Sequence, residues 1–509
     1  MAELPFMAGE QGRGPLLVFL FFVSATVITV WGTWEGTLPQ TEEAVRAEVA
    51  REILVTGDWW TMHFDGAPLY DLPPLSMWCT AVFLKLFGTN EFSAHLPFVI
   101  FSVLTFYIIF LAGELKPGGR SVSCEWITQP RALGLLSAII LAASPLFGKY
   151  APDLTPHVPF AFFISMAIYG WLLLPESRAG LALWAVGIAC GILSGGAGAL
   201  LLIPGSFLSL VSDRQRRNLW KSPQFLAVTV CALAAGVAWL VPATLRGSGE
   251  FAGNQLWTPF SGMGRSFGAA VSSFIVALWE LFVRNLPWSI PTVIAVVRIL
   301  FFRKSGKRNG DITDLDDTLL AFSVVILVPM AIGSAGERSL FLPLLPLAAI
   351  IAAREVARWI AAVSKKTEKE PEVVLHRLWT LNQTLTAVFC LFMLLLFATP
   401  LRFHRTTVDP IKDIALMAAQ LTPEGTRLGN FGQPRRFQAA RLLFYGNRSL
   451  RTPHVQPEAV LEEIGREPNT VFLATAEQLE ELREFAGDGA AYRFNVLYRS
   501  RELVLFKVE

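Results

Sequence analysis

Apolar runs recur along almost the whole of this chain and dictate its surroundings. Taking about 20 apolar residues as one bilayer crossing, spans fall near 15–34, 92–113, 132–149, 157–175, 180–196, 197–211, 225–243, 285–302, 318–335, 339–358 and 379–399. A further run, 266–284, reads equally as an interfacial helix or as a crossing. Backbone groups inside hydrocarbon find no water, so segments of this length and composition cross as helices. The expected fold is an all-α polytopic bundle of about 11–13 transmembrane helices. Of 509 residues 17% are charged and 53% hydrophobic. Soluble domains carry about a quarter charged residues, so a soluble enzyme is excluded. The five cysteines lie in or beside apolar runs without CxxC spacing, which makes them packing residues rather than a disulfide or zinc framework. The first run, Pro15 to Trp34, lacks a small-residue cleavage site and reads as a retained span.

Three basic clusters set the orientation: Arg214, Arg216, Arg217 and Lys221; Arg303, Lys304, Lys307 and Arg308; Arg354, Arg358, Lys365, Lys366 and Lys369. With eleven alternating spans all three fall on the side of the N-terminus, which the positive-inside rule makes cytoplasmic. The loop 35–91, the link 150–156, the loop 244–284 and the C-terminal segment then face outward.

Residues 41–87 combine acids with too much apolar and aromatic content for a solvated linker. Glu42, Glu43, Arg46, Glu48, Arg51 and Glu52 alternate with Ala44, Val45, Val49, Ile53 and Leu54 at helical spacing, as in an amphipathic helix lying at the interface. Gly57-Asp58-Trp59-Trp60, Gly66, Tyr70 and Pro73-Pro74 follow as turns, and a second amphipathic helix occupies about 75–87. This loop is expected to floor an active site at the water–lipid boundary.

From about Phe403 the pattern changes, so the chain divides into a transmembrane domain, 1–402, and a soluble domain, 403–509. Helical patterns at 410–421, 457–466 and 476–486 alternate with strand-like runs at 427–431, 442–445, 470–475, 494–498 and 503–508, which predicts a small α/β domain on the outer face.

Chemistry is expected at the outer surface. Glu42 and Glu43 follow the first span closely, and a carboxylate there can act as general base on an acceptor hydroxyl or phosphate-borne nucleophile. The same pair also suits a helix first turn with Thr41 as N-cap. Asp153 and His157 flank the entrance of the fourth span, and His63 with Asp65 lies in the first loop. A divalent metal held by His63, Asp153 and His157 is conceivable, but no spacing specifies one, and no other cofactor is expected. Arg338 precedes an outer-side span, where its fork suits a lipid phosphate, although snorkelling to membrane lipid is equally open.

The first loop resembles that of the bacterial GT-C-fold glycosyltransferases, in the group of the lipid A aminoarabinose transferase and the protein O-mannosyltransferases. The resemblance is carried by Glu42-Glu43, Ala47-Glu48-Val49-Ala50-Arg51-Glu52, Gly57-Asp58-Trp59, Phe64-Asp65-Gly66, Tyr70, Pro73-Pro74-Leu75, Trp78 and Leu86-Phe87-Gly88-Thr89-Asn90-Glu91-Phe92. It continues thinly through Ala143-Ser144-Pro145, Leu286-Pro287-Trp288 and Leu342-Pro343. It implies an inner-membrane transferase that moves a sugar from a polyprenyl-phosphate donor to a lipid, glycan or protein acceptor, with no nucleic-acid partner. Glu42 stands at the family's catalytic aspartate, with Glu43 beside it. His63 and Tyr70 would line the sugar pocket, Asp153 or His157 would meet donor or acceptor, and Arg338 would clamp phosphate. The chain departs from the family at Leu72 and at Ser194-Gly195-Gly196-Ala197, where lysines are usual, and at His157, where an aspartate is usual. These departures leave open a homologue that has lost catalysis and serves as a carrier-binding or assembly subunit.

Overall fold

The computed structural model describes residues 5–31, 33, 38, 42–69, 73–115, 130–174, 176–211, 215–239, 266–304, 313–333, 338–366, 371–398, 410–432, 436–451, 454–487, 492–500 and 503–508. In chain order the first elements are α1 (Pro5–Val30), α2 (Glu42–Thr56), β1 (Met62–Phe64), β2 (Ala67–Leu69), α3 (Pro74–Phe87) and α4 (Glu91–Gly113). Then follow α5 (Pro130–Ala142), α6 (Pro145–Tyr150), α7 (His157–Leu173), α8 (Ala179–Gly195), α9 (Leu202–Ser209) and α10 (Pro223–Ala238). The remaining bundle helices are α11 (Phe267–Arg284), α12 (Ser289–Lys304), α13 (Asp314–Gly333), α14 (Leu345–Lys366) and α15 (Pro371–Ala398). The C-terminal part carries α16 (Pro410–Leu421), β3 (Arg427–Asn430), α17 (Arg436–Gly446), β4 (Ser449–Leu450) and α18 (Pro457–Arg466). It ends with β5 (Val471–Thr475), α19 (Ala476–Ala486), β6 (Phe494–Ser500) and β7 (Leu503–Val508).

Two compact units result. The first comprises residues 1–31, 70–76 and 97–401; the second joins residues 32–69 and 77–96 to 402–509.

The first unit is a helical bundle. Among the described residues of the whole chain six helical stretches are long and apolar enough to cross a membrane and six shorter apolar helices accompany them; of these, Pro74–Phe87 lies mostly in the second unit and the start of Glu91–Gly113 belongs to it as well. Small residues let α7 and α8 approach closely: a methyl group on Gly187 would lie 2.6 Å from Ala167 Cβ. Close backbone approach of this kind replaces the hydrophobic drive that is missing between helices in lipid. Trp171, Trp184 and Phe225 fill the space beside that contact, with ring centroids 5.5–5.8 Å apart.

One expected span is broken and two others are joined, since Ala179–Ser209 is a single apolar helical stretch. The run 132–149 stops at Ala142 and restarts as α6, because Ser144 accepts from Phe147 N–H as an N-cap and Pro145 occupies the first helical turn. The neighbouring runs 180–196 and 197–211 meet at Gly196, which takes φ +60°, and Ala199 packs back against Gly191. The run 266–284 is the helix α11, long enough to cross, and Ala277 is its buried side chain.

The second unit centres on a five-stranded sheet ordered β4-β3-β5-β7-β6. β3 pairs parallel with β4 and β5, while β7 pairs antiparallel with β5 and β6. Ile411, Ile414, Ala415 and Leu442 of α16 and α17 bury one sheet face, and Val460, Ile464, Leu479 and Leu482 of α18 and α19 bury the other. The expected strand 442–445 is instead the end of α17. A four-residue apolar run carries no period of its own, and burial of Leu442 against α16 and β3 settles it as helix. The expectation of a GT-C-type bundle with a small α/β domain describes what is found.

Candidate functional site

In the second unit, Glu42 and Glu43 occupy the first turn of α2, where the helix dipole favours acids. Glu43 is buried and Glu42 is half-buried. The same helix continues with a charged cluster that the sequence pattern had placed at a wet interface. Glu48 is fully buried and receives both Nε and Nη2 of Arg51, at 2.8 and 2.7 Å. Burial pushes the Glu48 carboxyl up to about 8, with the Arg51 fork opposing only part of that rise. Arg51 is desolvated too, but Glu48 and Glu52 together outweigh that cost and strengthen its charge.

Glu52 reaches the hairpin that follows. It accepts from Gly66 N–H at 3.3 Å. β1 and β2 are joined by Asp65-Gly66, and both residues have positive φ (54° and 73°), as a two-residue Asp-Gly hairpin turn requires. His63 lies half-buried on β1, opposite Pro68. Desolvation acts against the Asp58 charge, but the Thr61 and Trp60 N–H groups and nearby His63 outweigh it and hold that carboxyl below its usual range. Trp78 donates its indole N–H to Trp59 O at 2.6 Å, so the Gly-Asp-Trp turn is pinned to α3.

This loop is fastened to the α/β domain at Glu91. Its Oε1 accepts from Tyr445 Oη at 3.0 Å and pairs with Lys412 Nζ, while Tyr445 Oη also accepts from Leu38 N–H at 2.8 Å.

In the first unit, the link between α6 and α7 carries Asp153, buried at 4% exposure, and half-buried His157. Local turns shape it: Asp153 N–H donates to Tyr150 O and Thr155 N–H to Asp153 O. Ser102 Oγ donates to Ala151 O at 2.7 Å, tying the link to α4. The short 3-10 segment Arg338–Leu344 packs against both α6 and α7, the helices on either side of Asp153, the second of which begins at His157. Arg338 is already engaged: its Nε and Nη2 lie 3.1 and 3.2 Å from the two oxygens of Glu280 on α11. Ser144 Oγ donates to Asn285 Oδ1 at 2.5 Å and Trp288 Nε1 to Ala143 O at 3.2 Å, so the residues after α11 are laced to the turn before α6.

The expected residues therefore form two groups, Glu42, Glu43 and His63 in one unit and Asp153, His157 and Arg338 in the other. Tyr70 and Leu72 lie outside the described residues. Among the described residues no group of three His, Cys, Asp or Glu side chains is placed to hold a metal ion.

Sequence reasoning missed Glu280, although a lone carboxylate within an apolar run is itself a signal of function or pairing. It also misread Arg354 and Arg358 as loop charges. Both are buried in α14, where they pair with Asp316 of α13 at 2.6 and 2.8 Å, and Arg358 also reaches Glu355. Arg298 of α12 holds Glu355 at 2.7 Å.

Residues 71–241 match the family of dolichyl-phosphate-mannose-protein mannosyltransferases. Undecaprenyl phosphate-alpha-4-amino-4-deoxy-L-arabinose arabinosyl transferase 1 of Pseudomonas fluorescens is 22% identical over 358 residues, which cover 68% of this chain and 58% of that protein. The corresponding transferase 2 of Sodalis glossinidius is 30% identical over 168 residues, 31% of this chain and 27% of that protein. The chain thus spans about a quarter to three-fifths of the length of these two relatives. The crystal structure of ArnT from Cupriavidus metallidurans bound to undecaprenyl phosphate superposes with TM-score 0.64 at 16% identity, over 97% of this chain and 96% of that one. The apo structure of the same protein gives 0.65.

Proposed function

We propose that this chain, a divergent member of the GT-C-fold group that holds the lipid A aminoarabinose transferases and the protein O-mannosyltransferases, moves a sugar from a polyprenyl-phosphate carrier to a lipid, glycan or protein acceptor at the outer face of a bacterial inner membrane. The observation that carries this reading is the match to undecaprenyl-phosphate sugar transferases over 68% of the chain, joined to an acid pair at the head of a rigidly anchored helix.

The acceptor oxygen attacks the anomeric carbon, the bond from that carbon to the phosphate oxygen breaks, and the carrier leaves as polyprenyl phosphate. Glu42 takes the acceptor proton, and Glu43 orients the nucleophile. His63 and Tyr70 line the sugar, and Asp153 or His157 contacts donor or acceptor. Arg338 holds the phosphate by exchanging one doubly hydrogen-bonded oxyanion, Glu280, for another. A carboxylate partner keeps the guanidinium fork oriented before the donor arrives. The N-terminus lies in the cytoplasm and the α/β domain in the periplasm.

Membranes supplied with a lipid-linked sugar donor test this reading. Glu42→Gln is expected to abolish transfer without loss of folded protein; a fully active variant overturns the assignment. A second reading, a carrier-binding subunit without catalysis, draws on the apolar or small residues at Leu72 and Ser194–Ala197 and on the engagement of Arg338 by Glu280. It gains if wild-type protein binds the carrier but consumes no lipid-linked sugar.

A further inference from the structure

In the first unit, the link between α9 and α10 ends one apolar stretch and begins the next. Ala179–Ser209 is long and apolar enough to cross a membrane, and Pro223–Ala238 is one of the shorter apolar helices. Residues 211–222 between them carry Arg214, Arg216, Arg217 and Lys221 against Asp213 alone. A basic link set between two apolar helices lies at headgroup depth.

The cations of this link divide between two tasks. Arg216, in the short 3-10 turn Gln215–Asn218, is buried. It donates Nη1 to Trp171 O at 3.1 Å and Nη2 to Leu172 O at 3.4 Å, and its guanidinium lies 5.8 Å from the Trp171 ring. The link is thereby fixed to the C-terminal end of α7, where the helix dipole favours a cation. Trp220 stacks on Phe207 with ring centroids 4.0 Å apart and meets Phe225 edge-on at 5.2 Å, so one aromatic chain joins α9 to α10. Arg217 and Lys221, by contrast, are exposed. Arg217 Nε donates to Leu210 O at 3.1 Å, and neither side chain takes part in an ion pair among the described residues.

Charge and apolar surface at this end of the bundle are both left uncovered. On the α7–α8 link Arg178 and Glu176 are exposed, so three exposed cations stand against one exposed acid. Asp314 and Asp317 of α13, which packs along α9, are half-buried and buried. Directly beside the cations, Phe207 and Val211 are 51% and 57% exposed, and Val230 on α10 is 62% exposed.

We infer that this link binds an anionic phospholipid of the adjoining leaflet, with Arg217 and Lys221 on its phosphate and its acyl chains along the exposed faces of α9 and α10. A soluble anion would satisfy the cations and leave the apolar faces bare. A neutral lipid would cover those faces and leave the cations unmatched. The guanidinium fork suits a phosphate, and basic residues at the membrane surface draw anionic lipids. Arg216 and the Phe207–Trp220 stack hold the link in place beforehand, which lowers the ordering cost of binding. The inference is independent of the proposed transfer reaction, since none of these residues belongs to its site.

The test is photolabelling of the full-length protein in nonionic detergent. The probe is a phosphatidylglycerol with a photoreactive group on its acyl chain, and a phosphatidylcholine with the same chains is the neutral comparator. Adducts are mapped by peptide mass spectrometry. Phosphatidylglycerol is expected to label residues 207–230 roughly tenfold more than phosphatidylcholine, and less as salt rises. Unlabelled phosphatidylglycerol is expected to displace the probe, and glycerol 3-phosphate at the same concentration to leave it in place. Arg217→Gln with Lys221→Gln is expected to bring labelling of that segment down to the phosphatidylcholine level with an unchanged melting curve. Arg499→Gln, which removes an exposed cation of β6, is expected to leave labelling unchanged. Equal labelling by both lipids, labelling indifferent to salt, or full labelling in the double variant overturns the inference. Displacement by glycerol 3-phosphate overturns it too, because the site then takes a soluble phosphate ester rather than a lipid.

Discussion

Tyr445 donates its hydroxyl to Glu91 while accepting the backbone N–H of Leu38, so one phenol oxygen joins the α/β domain to both ends of the first loop. Burial, and then the Glu91 charge, push the phenol well above its usual range, so it remains a proton donor throughout neutral pH. Tyr445→Phe removes a bond to a charged acceptor and leaves the Leu38 N–H without its partner. Losses of this kind cost about 1–3 kcal/mol. The melting temperature of the purified protein is expected to fall, and protease cleavage within residues 32–69 to quicken. An unchanged melting curve and digestion pattern would show that the clasp does not fasten the loop.

The buried Glu48 gives stability a pH dependence of unusual sign. Its folded pKa, about 8, lies above the usual carboxylate value of 4.5. Between those values the native state binds more protons than the unfolded state, so this contribution is fully present below pH 4.5 and is lost as pH rises toward 8. Glu52 shifts upward as well, through burial, which adds in the same direction. The slope from one such group is at most about 1.4 kcal/mol per pH unit. Melting curves from pH 5 to 8 should decline more steeply in wild type than in Glu48→Gln, and parallel profiles would contradict the assignment.

Asp316 is 1% exposed and lies between two guanidiniums, Arg354 and Arg358. Removing its carboxylate strands two buried cations of which only Arg358 has a second acid, Glu355, among the described ion pairs. Breaking a buried pair in this way costs about 3–5 kcal/mol. Asp316→Ala is therefore expected to lower the yield of folded protein and its melting temperature sharply. Arg298→Ala, which removes a partly exposed partner of Glu355, should do so less. The ranking, read by fluorescence-detected size exclusion on heating, is the test.

What the sequence made legible, and what it hid, follows from the range of each signal. The turn at Gly66 was written locally, because Asp65-Gly66 supplies two positive φ angles that few other pairs adopt, but the three-residue strands on either side of it are too short to show an alternating pattern and were not read. The helix α2 was equally local, since acids lead it and apolar residues recur at helical spacing. Its environment was not local. Alternating charges at Glu48, Arg51 and Glu52 look like a solvated face, and only the neighbouring hairpin and α17 make that face buried. The break at Ser144-Pro145 was masked by continuous hydropathy on both sides, although the Ser-Pro pair was present as a cap signal. Arg354 and Arg358 looked like a basic loop because their partner Asp316 lies 38 and 42 residues earlier in sequence. Pairing across that separation leaves no trace in composition. The same holds for Arg338 and Glu280, 58 residues apart.

That last pair separates phosphate binding from structure. If Arg338 holds the phosphate of the donor, then Glu280 competes with the donor for the same fork. Arg338→Ala should raise KM for a polyprenyl-phosphate sugar roughly tenfold or more, the loss expected for one charge-assisted bidentate contact. Glu280→Gln weakens the competitor while retaining its shape, so KM should stay level or fall, and kcat should change little. A merely structural ion pair makes a different pattern, in which both substitutions lower activity together and act through folded yield. The deciding measurement is KM and kcat for wild type, both single variants and the double variant in the same detergent. Opposite displacements of KM in the two single variants support exchange of Glu280 for phosphate at Arg338. Equal loss in both, with no further loss in the double variant, assigns the pair to holding α11 against the Arg338–Leu344 segment.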